Sequence, residues 1–104
     1  MRIANYLRPE CVALHQRADS LEGAVQQLVA LLDGTEDLTD TAAFAADVRA
    51  RLALGGVCVG NGLAIPHAKS ASVKQLRLAA LTLDPPLPCD TPDGKPLQML
   101  VMIA

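Results

Sequence analysis

Between Leu54 and His67 the chain is cut into very short pieces: Gly55-Gly56, an apolar triplet at 57–59, Gly60-Asn61-Gly62, a second triplet at 63–65, and then Pro66. Apolar runs this short, bounded by turn residues, read as strands that pair with longer neighbours. Asn61-Gly62 is a favoured tight-turn pair, so strands at 57–59 and 63–65 are expected to meet there. Pro66 fixes its own φ and biases Ile65 toward extended backbone, which gives His67 a stiff approach. From the residues alone two readings of that histidine stay open. It is either an imidazole aimed reproducibly for chemistry, or a strand-ending residue that hydrogen-bonds locally.

The longer elements lie on either side. Asp19 and Glu22 resemble a capping pair, and Leu21, Val25, Leu28 and Leu32 recur on one helical face, which predicts a helix at 20–32 closed by Asp33-Gly34. Asp40 caps a second predicted helix at 41–53, with Phe44, Val48 and Leu52 as its buried stripe and Gly55-Gly56 as its stop. Residues 76–83 and 97–103 are apolar and strand-like. The segment through Leu14, which includes Pro9, reads as a short helical turn followed by a brief strand. Residues 84–96 hold five of the seven prolines and read as a structured connector, with Pro92-Asp93-Gly94 as its turn. The expected architecture is a single α/β domain over 1–104, a mixed β-sheet flanked by α-helices.

Hydrophobic residues make up 51% of the 104 but aromatics only 2%, so the core must be aliphatic. A net charge of -2 and the lack of aromatic platforms argue against a nucleic-acid partner. No apolar run approaches the ~20 residues that span a bilayer, so direct membrane insertion is not expected. Cys11, Cys58 and Cys89 are odd in number and show no CxxC spacing, which argues against a disulfide framework or a metal site and for a reducing cytoplasm. No cofactor motif is present. His15 lacks a surrounding motif and reads as structural, and Cys58, between two valines, reads as an inert thiol.

The decade GNGLAIPHAK at 60–69 resembles the phosphohistidine motif of the fructose/mannitol-type enzyme IIA domains of the bacterial sugar phosphotransferase system, including their nitrogen-related relatives. Arg51, Gly60, Gly62, Ala64, Ile65, Pro66, His67, Ala68 and Lys69 carry the resemblance. The later Asp93-Gly94-Lys95-Pro96 turn between apolar strands extends it over nearly the whole chain. Three features depart from the family pattern. Leu52 stands where a glutamate is usual, Gly56, Val57 and Cys58 stand where Ser-Thr-Gly is usual, and no second active-site histidine follows Ala104. The resemblance therefore implies an enzyme IIA type 2 domain truncated at its C-terminus. The apolar stretch ending at Ala104 points the same way, and a sheet face left uncovered would favour self-association into a homo-oligomer.

What the resemblance implies for chemistry is a phosphoryl carrier. His67 would accept the group from the histidine-containing phosphocarrier protein and pass it to an enzyme IIB domain. Arg51 would stabilise the phosphoryl oxygens through its planar fork of donors, against the alternative of an exposed helix arginine in water. Gly60, Asn61 and Gly62 would bring backbone amides near the phosphoryl group or, the reading ranked first, simply form the turn. Lys69 reads as solvated. The same domain could instead be a regulatory module of the nitrogen-related branch, acting on regulatory protein targets through its phosphorylation state, or an inactive remnant.

Overall fold

The computed structural model describes residues 5–33, 35, 38–89 and 91–104. In chain order its elements are β1 (Leu7–Gln16), α1 (Leu21–Leu32), α2 (Thr41–Leu52), β2 (Cys58–Gly60), β3 (Leu63–Ala64), β4 (Leu78–Leu87) and β5 (Leu97–Ile103). The strands form one sheet in the order β1-β4-β5-β3-β2. β1 runs parallel to β4 and β3 parallel to β5, while the β4/β5 and β2/β3 pairs are antiparallel. The expected mixed sheet with two helices is the fold observed.

Both helices start where a side-chain oxygen can satisfy an orphan amide. Asp40 accepts from the Ala43 amide at 3.0 Å, as its position predicts. For α1 the cap is Ser20, not Asp19: the Ser20 hydroxyl accepts from the Gly23 amide three residues on, at 2.9 Å. Ala24, Val25, Leu28, Val29 and Leu32 of α1 are buried, as are Phe44 and Val48 of α2, whereas Leu52 is only half-buried. These side chains share one core with Cys11, Ala64, Ala79, Leu81, Leu83, Leu100 and Met102, which face the helices from the sheet. The C-cap of α1 is Asp33; Gly34, expected to end that helix, lies outside the described residues.

Two strands are longer than predicted, and in both proline is the reason. β1 runs for ten residues rather than a brief stretch, because it is an edge strand and Pro9 sits in a register shift between Leu7 and Val12 where no ladder donor is needed. β4 begins at Leu78 rather than 76, and it continues through Pro85 and Pro86 to Leu87, which pairs with Leu97 beyond a second irregularity. Residues 84–87, assigned to the connector, therefore belong to the sheet. The first helical turn was expected largely in residues outside the described set. No helix among the described residues is long and apolar enough to cross a membrane.

The side chains alternating with the core set point to the opposite sheet face. There Leu14, Val59, Met99 and Ile103 are exposed. No disulfide links the three cysteines, of which Cys11 is buried and the other two half-buried.

Gly60 pairs with Leu63 across Asn61-Gly62, and φ is 56° at Asn61 and 77° at Gly62, the left-handed pair that a two-residue hairpin turn needs. Gly62 is also sterically confined. A Cβ there would lie 3.3 Å from both the Pro96 carbonyl oxygen and Gln98 Cγ. Its own carbonyl accepts from the amides of Gln98 and Met99, so the turn cannot move aside. Gly62→Ala is expected to cost about 1–2 kcal/mol in urea unfolding, from the positive φ and the close approach together. An unchanged midpoint would show that the turn relaxes freely.

Candidate functional site

His67 is held by the strand pairings on both sides of the segment that precedes it. The Ile65 amide donates to the Val57 carbonyl at 2.8 Å on one side. On the other, Ile103 donates to the Pro66 carbonyl at 3.0 Å, and His67 forms a parallel bridge with Ile103. Pro66 has no N–H to satisfy, so its single backbone acceptor is used and its ring can be fully buried. The imidazole itself is half-buried. Its direction is thus set by backbone that cannot shift without breaking the sheet edge.

The ring is also fixed in tautomer. His67 Nδ1 lies 2.9 Å from the Ile65 carbonyl oxygen. A carbonyl can only accept, so Nδ1 carries the hydrogen, and in the neutral ring Nε2 presents its lone pair. The two readings of His67 left open by the sequence are compatible. The local hydrogen bond exists, and it leaves the other nitrogen with a directed lone pair.

Beside this imidazole lies an open depression of about 470 Å³, lined by Asp47, Ala50, Arg51, Leu54, His67, Ala68 and Lys69. Arg51, from the last turn of α2, and His67, from beyond β3, are therefore brought to one concavity. Arg51 is half-buried, and its guanidinium donates to the Gly55 carbonyl just past the helix end. Four of the lining residues, Asp47, Ala50, Arg51 and Leu54, recur at i, i+3, i+4 and i+7 of one helical stripe. That spacing was available in the sequence but is hidden there by the stronger buried stripe of Phe44 and Val48. Lys69 is exposed at the rim.

The Gly60-Asn61-Gly62 turn is not among the lining residues. It lies at the start of β3, while His67 follows the end of that strand, so the turn serves the hairpin rather than the depression.

The turn has a partner that sequence reasoning did not assign. Asp93 accepts from the Asn61 amide at 2.8 Å and from the Lys95 amide at 3.2 Å, which clasps the connector turn onto the hairpin. These bonds, first that from Asn61, then that from Lys95 with the Lys95 charge adding to them, hold the Asp93 carboxyl below its ordinary value of 3.8. The folded chain thus binds this proton less tightly than the unfolded one. The stability contributed by the clasp is full above pH 3.8 and is lost as pH falls through the lower folded value. In an NMR titration the Asn61 amide shift is expected to follow Asp93 with a midpoint below 3.8. Asp93→Asn should abolish that titration, and a midpoint at or above the ordinary value would contradict the clasp.

Comparison with known proteins places these features. Residues 5–104 match the family model described as phosphoenolpyruvate-dependent sugar phosphotransferase system, EIIA 2. The chain is 31% identical over 105 residues to the 2-O-alpha-mannosyl-D-glycerate-specific EIIABC component of Escherichia coli, covering all of this chain and 16% of that protein. The crystal structure of the nitrogen regulatory protein IIA-Ntr from Neisseria meningitidis superposes with a TM-score of 0.87 at 30% identity, over 97% of this chain and 68% of that one. The fold is also that of Escherichia coli enzyme IIA mannitol in its complex with phosphorylated enzyme IIB mannitol, with a TM-score of 0.81 at 14% identity, over 94% of this chain and 70% of that one. The chain thus spans about two thirds of the single-domain relatives and a small part of the multidomain one.

Proposed function

This chain belongs to the EIIA 2 family of the phosphoenolpyruvate-dependent sugar phosphotransferase system, and we propose that within it His67 carries the phosphoryl group. The observation that carries this reading is the Nδ1 hydrogen bond to the Ile65 carbonyl. It leaves Nε2 as a neutral, oriented nucleophile over an open depression, and it needs no general base.

In the proposed step the Nε2 lone pair attacks phosphorus in line with the donor's own nitrogen–phosphorus bond. The new Nε2–P bond forms as the old one breaks, and its electron pair returns to the imidazole of the histidine-containing phosphocarrier protein. Nδ1 keeps its hydrogen, so no proton has to leave His67. The ring becomes cationic, and the Ile65 carbonyl oxygen is the right partner for that charge. Transfer to an enzyme IIB domain repeats the displacement with the roles reversed. Phosphoryl transfer of this kind depends on positioning and on charge stabilisation more than on covalent chemistry by the protein. In this reading Arg51, which lines the same depression, receives the equatorial oxygens. All these reactants are cytoplasmic, which is where the reading places the domain.

The test is incubation with phosphoenolpyruvate, the upstream enzyme and the phosphocarrier protein, followed by intact mass. An acid-labile, alkali-stable phosphoryl adduct is expected, and its absence from folded protein would remove the proposal. A regulatory role for the same phosphohistidine is the second reading, favoured by the match to IIA-Ntr. It predicts that phosphorylation changes binding to a regulatory target instead of feeding an enzyme IIB.

A further inference from the structure

A phosphoryl carrier has to release its cargo as readily as it takes it up, and the depression around His67 contains enough positive charge to hold on too well. Its lining supplies two cations, Arg51 and Lys69, and a phosphoryl group brings a charge of about -2, so the two sides would match charge for charge. An attraction felt equally by the resting and the transferring group lowers the resting state and speeds nothing. The same lining also contains a carboxylate. That residue is Asp47.

Asp47 lies on α2, one turn before Arg51. A carboxylate four residues N-terminal to an arginine is the favoured order for an ion pair along a helix. That pair is not made. The Arg51 guanidinium donates past the helix end to the Gly55 carbonyl, and among the described residues Asp47 has neither an ion pair nor a hydrogen bond. Asp47 is exposed and stands outside the core and its partly buried shell, so packing gives it no task. Nor does it cap α2, whose N-terminus is closed by Asp40. What distinguishes it is its place on the wall shared with His67, where the other charged groups are Arg51 on its own helix and Lys69 from the segment after β3.

Building on the reading of His67 as phosphoryl acceptor, we infer that Asp47 keeps the phosphoryl group transferable by raising the free energy of phosphohistidine relative to the free imidazole. The carboxylate offsets part of the field of Arg51 and Lys69, and it repels the phosphoryl oxygens across the depression. The neutral imidazole feels neither effect, so the cost falls on one side of the equilibrium. Uptake from the donor becomes less favourable and handover to the acceptor more favourable by the same factor, because both reactions share the phosphohistidine state. The size of the effect is limited by water. Charges facing one another across an open depression interact weakly, and salt screens them further.

The experiment measures that equilibrium directly. Phosphorylated histidine-containing phosphocarrier protein is mixed with the wild-type chain, Asp47→Asn or Asp47→Glu, without phosphoenolpyruvate or the upstream enzyme, and the phosphorylated fractions are read by intact mass. At about 0.01 M salt Asp47→Asn is expected to shift the equilibrium about three- to tenfold toward the phosphorylated chain, while Asp47→Glu stays close to wild type. At about 1 M salt the difference should shrink to less than about twofold. Thermal unfolding midpoints should be alike, which separates this role from a structural one. Equal equilibria for wild type and Asp47→Asn at low salt overturn the inference. A shift that persists at high salt, or that Asp47→Glu also produces, overturns it too, because the cause would then be shape and not charge. If the wild-type chain takes up no phosphoryl group at all, the reading of His67 fails and the inference with it, a result distinct from failure at Asp47 alone, where wild type is still labelled.

Discussion

His67→Ala is expected to abolish the acid-labile phosphoryl adduct completely while leaving the chain folded. The two outcomes separate because the hydrogen bond that the imidazole makes among the described residues is local, from Nδ1 to the Ile65 carbonyl. The sheet edge it follows is held by backbone bonds of Ile65 and Ile103 that the substitution leaves in place. Loss of a half-buried side chain and one such bond costs about 1 kcal/mol, small against the stability of a domain. The loss of function has no such limit, since no other described side chain lining the depression offers a neutral nitrogen lone pair. The site of attachment is a second, sharper check. Long-range proton–nitrogen correlation on the phosphorylated chain should show Nε2 carrying phosphorus and Nδ1 carrying hydrogen. An adduct on Nδ1, or one that survives in His67→Ala, would contradict the mechanism.

Much of this site is legible in the amino-acid sequence because its parts are local. The Asp40 cap, the Phe44–Val48 stripe, the Asn61-Gly62 turn and the Pro66-His67 step each depend on residues within one or two turns of chain. Periodicity and turn chemistry report on that range. What could not be read depends on pairing across the sheet. Nothing local shows that Pro85 and Pro86 continue a strand, because a strand irregularity opposite Leu97 is what makes room for them. Likewise the Ile65 carbonyl is recognisable as the partner of His67 only once Val57 and Ile103 hold its segment extended. Asp93 was visible as a turn residue, and only the docking of two turns makes it a clasp.

Arg51→Ala is expected to slow phosphoryl transfer to His67 by about 10- to 100-fold, which is what the roughly 1.5–3 kcal/mol of a hydrogen bond to a charged group amounts to. It should lower stability by no more than about 1 kcal/mol. The asymmetry follows from what the guanidinium touches. In the free chain it donates to the Gly55 carbonyl, a neutral acceptor in an exposed loop, and water replaces that bond cheaply. On the proposed reading it would instead face phosphoryl oxygens beneath a docked partner that excludes water, where the same donors interact more strongly. Exchanging a neutral carbonyl for a charged oxygen favours movement of the fork toward phosphorus, so the resting contact need not oppose catalysis. Arg51→Lys sharpens the test, because it keeps the charge and loses the planar pair of donors. It should fall between wild type and alanine in rate, with a normal unfolding midpoint. If Arg51→Ala instead lost stability and rate in equal proportion, and Arg51→Lys restored neither, the residue would be a cap on the end of α2. Stabilisation of the phosphoryl oxygens would then have to come from Lys69, which lines the same depression.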